Sequence, residues 1–71
     1  MSQPITPEEI KRGTDAAVEA EQAGDYREAA RLYDQLGKDI QARSDQFDPR
    51  ALDAFEAMSR AISLGARGGQ G

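Results

Sequence analysis

Seventy-one residues with a net charge of −4, no cysteine and no histidine limit this chain to one domain and exclude both a disulfide framework and a zinc site built on those ligands. Large apolar side chains are few and twelve alanines supply much of the apolar share, so the core is small, and a core of this size seldom supplies more than ~3–5 kcal/mol. The acidic balance opposes non-specific attraction to phosphate backbones and anionic lipid, no apolar run approaches the ~20 residues of a membrane span, and the opening MSQPITPEEI has no charged and apolar signal-peptide regions. Neither nucleic acid nor membrane is an expected partner, and the cytoplasm is the expected location.

The first helix announces itself at Thr6-Pro7-Glu8-Glu9. Threonine can accept from the first free amides, proline suits the first helical position, and Glu9 is placed to reach back to the cap. Ile5 and Ile10 stand where a hydrophobic staple closes, and Glu8 and Glu9 lie at the positive end of the helix dipole. Ile10, Ala16, Ala17, Ala20 and Ala23 follow at helical spacing. Gly13 weakens these turns by ~1 kcal/mol relative to alanine.

Gly24-Asp25 breaks the pattern, and Asp25 with Glu28 repeats the capping-box spacing. Tyr26, Ala29, Ala30, Tyr33, Leu36, Gly37 and Ile40 mark one face of a second helix ending near Ser44. Asp34–Lys38 and Asp39–Arg43 are acid-before-base pairs for its solvent side. The tyrosine hydroxyls are expected at the rim, since a buried one needs a partner. The third helix opens on Asp48 as cap and Pro49, with Phe47 and Leu52 placed to form a second staple. Ala51, Leu52, Ala54, Phe55, Met58, Ala61 and Ile62 are its apolar positions, and Gly65 is its expected stop.

These signals predict an all-α fold, an antiparallel helical hairpin plus a third helix, in a single domain over residues 6–64. A flexible N-terminus (1–5) and a flexible glycine-rich tail (65–71) flank it. No catalytic apparatus is expected. Asp15 with Glu19, and Asp45 with Asp48, are paired acids, but acid–base work needs a carboxyl tuned inside a pocket, and a chain this small has little with which to wall one off. Caps and solvated faces account for these acids. No cofactor is expected, and the calcium loop pattern D-x-D-x-D-G is missing. Gly68-Gly69-Gln70 repeats the three letters of the release-factor peptide-release loop, without the rest of that domain.

The stretch from Ala20 to Tyr33, AEQAGDYREAARLY, resembles the inter-helix turn of a tetratricopeptide repeat. In that family a small residue in the first helix precedes a G-D/N-Y turn, an E-A pair and an aromatic in the second. Ala17 and Ala20 match the small and contact positions, Ala29 the alanine and Tyr33 the aromatic. Leu36 replaces a second small residue, and Gly13 stands where tryptophan is frequent. Gly24 and Gly65 lie 41 residues apart, with Ala20 and Ala61 four before each. Asp48-Pro49 is similar to the opening of the longer repeats of kinesin light chains and many actinobacterial proteins. The resemblance implies one complete repeat and half of a second over residues 7 to 65, on a bacterial protein. Gly24, Tyr26, Glu28, Ala29, Leu32 and Tyr33 are also similar to the pattern of three-helix microtubule-interacting-and-transport domains. Both resemblances imply binding of a protein or peptide through helix grooves.

Leu52, Phe55, Met58 and Ile62 are the candidate partner-binding residues of the third helix. They cannot all face the hairpin if Ala51, Ala54 and Ala61 do, and the leftover apolar stripe is a docking surface. Arg27 and Arg31, one turn apart on the second helix, are candidates for an acidic peptide, against the reading that Glu28, Asp34 and Asp15 neutralise them. The stripe can fold back as a closed three-helix bundle or pair with a second molecule in a symmetric homodimer. A helix-turn-helix regulator is the nucleic-acid alternative, and Asp53 and Glu56 beside Arg50 and Arg60 argue against it.

Overall fold

A computed structural model describes residues 3–68 of the chain. They form three α-helices, α1 (Pro7–Gln22), α2 (Tyr26–Arg43) and α3 (Pro49–Gly68). The described residues are thus all-α, as the helix signals predict. Their packing is open: α2 lies between the other two, and α1 and α3 meet only weakly.

The start of α1 is the expected one. The Glu9 amide donates to the Thr6 hydroxyl oxygen at 3.1 Å and the Thr6 amide donates to the Glu9 carboxylate at 3.2 Å, which closes the capping box. Ile5 is buried and shares a cluster with Ile10. The α1–α2 turn depends on Gly24, whose φ of +83° lies in the left-handed region that favours glycine. The Gly24 amide donates to the Glu21 carbonyl at 2.9 Å and the Asp25 amide to the Ala20 carbonyl at 2.8 Å. This is a Schellman closure, and it satisfies carbonyls that the helix end leaves over. Asp25 then caps α2 by accepting from the Glu28 amide at 3.3 Å. The Glu28 carboxylate does not complete that box, because Arg31 takes it with two bonds of 2.8 and 2.7 Å.

Two clusters make the core. At one end Ile5, Leu36 and Ile40 pack on Ala51 and Ala54, with Ile10 and Phe55 at the edge. At the other, Ala17, Ala29, Ala30 and Ala61 close around Tyr33, with Val18, Ala20, Leu32, Ala57 and Met58 beside them.

Three expectations need correction. First, α3 does not stop at Gly65 but continues to Gly68. Gly65 is a contact glycine: a Cβ there would stand 3.0 Å from the Cβ of Tyr26, so its missing side chain lets α3 cross the start of α2. Gly24 and Gly65, equivalent by their spacing, therefore do different jobs. Gly69 and Gln70, with the final residue of the tail, lie outside the described residues. Second, Phe47 and Leu52 close no buried staple; they are 76% and 53% exposed. Asp45 instead holds the loop, accepting from the Phe47 amide at 2.9 Å. Third, Arg43 bypasses Asp39 and spans to α1, with bonds of 2.7 and 2.9 Å to the two Glu9 oxygens and one of 3.0 Å to the Gln3 carbonyl. A guanidinium fork fits both oxygens of one carboxylate, which a partner four residues away on the same helix does not offer it here. Asp34–Lys38 does form, at 3.0 Å.

Candidate functional site

Because α3 packs mainly on α2 and meets α1 only weakly, it has an inner and an outer flank. The inner flank faces α1 across a groove of about 350 Å³ lined by Ile10, Thr14 and Val18 on one side and Arg50, Asp53, Ala57 and Arg60 on the other. The outer flank faces away from α1. Between it and the first turns of α2 lies a larger groove of about 680 Å³, lined by Gly24, Asp25, Tyr26, Arg27, Ala30, Ala61, Ile62 and Gly65. The outer groove is a consequence of composition. Two alanines and two glycines make up half of its lining, and short side chains leave the space between two helix ridges unfilled.

The candidate residues of α3 divide between core and surface. Met58 is half-buried against the alanine cluster and Phe55 against the aliphatic one, where its ring covers Gly37. Leu52 and Ile62 stay out, 53% and 55% exposed. Leu52, Phe55, Ser59 and Ile62 are spaced three, four and three residues apart, the interval that keeps side chains on one side of a helix. That row is the outer flank, since Ile62 lines the outer groove. Phe47, at the opposite end of α3 from that groove, adds the most exposed large apolar side chain of the described residues.

Of the two candidate arginines, the structure brings only Arg27 to the groove with Ile62. Arg31 is held by Glu28 on the surface, and Asp15 pairs with Lys11 at 3.5 Å rather than with either. Tyr26, Ala30, Ala61 and Gly65 also line that groove and were not anticipated as contact residues. The signal was present in Ala61 and Gly65, two small residues one helical turn apart, which mark a face that something approaches closely.

The electrostatics keep the frame rather than the groove. Hydrogen bonds from Arg43, then from the Thr6 backbone, pull the Glu9 carboxyl down to about 2 from 4.5. Arg50 holds Asp48 well below the usual carboxylate range, through side-chain and backbone bonds, while the Ser44 hydroxyl donates to it at 2.8 Å. Tyr33 is buried, not at the rim, and it has the partner burial demands: its hydroxyl donates to Glu21 at 2.6 Å. Burial, and next that bond, push the phenol up to about 12, against a weaker opposing pull from Arg60. Among the described residues no three acids stand together as a metal site would require, and no helix is long and apolar enough to cross a membrane. Comparison with family models, curated proteins and solved structures finds nothing that matches this chain.

Proposed function

We propose that this chain is a non-enzymatic helical interaction module that binds a protein or peptide partner along the outer flank of α3. One observation carries the reading: Leu52 and Ile62 stand more than half exposed on a continuous row beside a 680 Å³ groove lined largely by small and apolar residues. Large exposed apolar side chains cost solvation when left in water, and a contiguous run of them marks an interaction site. The resemblance of the hairpin turn to tetratricopeptide repeats supports the same reading, because it implies binding of a protein or peptide through helix grooves. Among the described residues no helix covers that flank, and a helix laid along it suits the helix-in-groove mode of recognition.

The test is site-specific photo-cross-linking in the native cell. A photoreactive residue replaces Leu52 or Ile62 in one pair of variants, and Asp15 on α1 in a control. The reading expects one discrete adduct from each α3 position and none from the control. No adduct from either α3 position, or the same adducts from Asp15, overturns it.

A further inference from the structure

Resting on that reading, we infer that the outer groove takes an amphipathic helix of another protein that carries one carboxylate beside a large apolar side chain. The carboxylate pairs with Arg27, and the apolar side chain lies on Ala30, Ala61 and Gly65.

Charge singles out Arg27. Arginines also wall two other grooves, and there they are engaged. In the inner groove Arg50 is bonded to Asp48 at 2.7 Å and Arg60 faces the Tyr33 phenol. A smaller groove between α1 and α2, of about 160 Å³, holds Arg43, which is bonded to Glu9 at 2.7 Å. The Arg27 side chain has no such partner among the described residues, although one is at hand. Arg50 stands two residues after Asp48, the acid that opens α3, and folds back onto it. Arg27 stands two residues after Asp25, the acid that caps α2, and does not fold back. Asp25, the one acid in the lining of the outer groove, accepts from the Glu28 amide instead. The groove wall thus joins an uncompensated guanidinium to Ile62, two alanines and Gly65. A carboxylate there gains charge-assisted hydrogen bonds, and an apolar side chain next to it fills space that the short side chains leave empty.

The rest of the molecule narrows the partner. A net charge of −4 repels a heavily acidic segment, so one carboxylate on an otherwise neutral or basic helix fits best. Arg27 and Ile62 stand at one end of the exposed row and Leu52 at the other. From Leu52 to Ile62 is about 15 Å along α3, or about three turns, at the rise of an α-helix. The matching helix is therefore about three turns long, with its carboxylate at one end of its apolar stripe. A carboxylate is favoured in the first turn of a helix, which sets the partner antiparallel to α3.

The experiment pans a displayed library of helical peptides, randomised on one face, against the immobilised full chain. Peptides enriched on the wild type should place Asp or Glu one turn from Leu, Phe or Met. Arg27→Gln should weaken an enriched peptide about 5-fold in fluorescence anisotropy, and should no longer distinguish it from a version with the acid changed to its amide. Arg27→Glu should exchange the enriched acid for Lys or Arg. Neither change removes a bond from the fold, which helical circular dichroism checks. Enriched peptides that need Leu52 and Ile62 but show no acid preference overturn this inference and leave the interaction reading standing. Peptides that bind Leu52→Glu and Ile62→Glu as well as the wild type overturn both. No enrichment on the wild type also overturns it, and a light-scattering mass of two chains in that case gives the groove to a second copy. Octanoate that displaces an enriched peptide at equal concentration overturns it in favour of a small apolar acid.

Discussion

The two ends of this molecule are held together by opposite means. At the aliphatic end Ile5, Leu36 and Ile40 fill space, and Ala51 and Ala54 give them somewhere to go. At the alanine end the helices approach because Ala17, Ala29, Ala30 and Ala61 take up so little room, and one tyrosine fills the gap. The first end gains stability from buried apolar surface in proportion to its area. The second buries less area per residue and relies on close contact, in which the fit matters more than the amount. Its short side chains also leave the outer groove unfilled, so the end that contributes less to the core is the end that offers a place to bind.

The largest effect should follow from emptying the aliphatic end. Ile40 is fully buried, and Ile40→Ala should cost ~2–5 kcal/mol. On a fold of this size that loss leaves much of the chain unfolded at room temperature, visible as lost helical circular dichroism. The alanine end should respond to the opposite change. Ala17→Leu, at a position with no exposure, should destabilise by ~1–3 kcal/mol through overpacking, read from the midpoint of urea denaturation. If Ala17→Leu is neutral, the alanine end is loosely packed and the contrast between the ends is lost.

Between these two stands Gly37, where the α2 backbone passes under the Phe55 ring. A Cβ there would sit 2.7 Å from the ring, so the ~1 kcal/mol of helix propensity that alanine offers is outweighed by displacement of Phe55. Gly37→Ala should lower the melting temperature, and Gly37→Ala with Phe55→Leu should lose less than the sum of the two single changes. Additive losses would mean that the ring moves aside freely.

The smallest effects are two pH dependences, one at each end and of opposite sign. Glu9 on the aliphatic side has its carboxyl lowered to about 2 from 4.5. Its contribution is therefore complete above the unfolded value and is lost as pH falls from about 4.5 towards 2. Tyr33 on the alanine side has its phenol raised to about 12 from 10.0. Its contribution is complete below 10 and is lost as pH rises towards 12. Melting curves across pH should lose part of their acid slope in Glu9→Gln, with Asp48 keeping the rest, and should lose their alkaline slope in Tyr33→Phe. The reverse assignment would contradict the geometry.

Much of this frame was legible from residues alone, because caps and turns are local. Thr6-Pro7-Glu8-Glu9 and Gly24-Asp25 state their conformations within a few residues. What escaped was set by contacts between helices. Gly65 looks like a helix stop until Tyr26 is seen beneath it. Arg43 has a suitable acid on its own helix and finds a better one on α1. Phe47 has the spacing of a staple, but nothing packs over it to make burial worthwhile. The stripe on α3 was legible as four residues, and packing then divided them, Phe55 and Met58 towards the core and Leu52 and Ile62 towards solvent. Periodicity shows which residues share a face; it does not show how wide a neighbour's footprint is.

Residue-resolved amide hydrogen exchange of the full chain tests the division between ends most directly. The account predicts that the slowest amides are those from Leu36 to Ile40 and from Ala54 to Phe55, with faster exchange at Ala29 and Ala30. Equal protection of Ala29, Ala30 and Ile40 would contradict it.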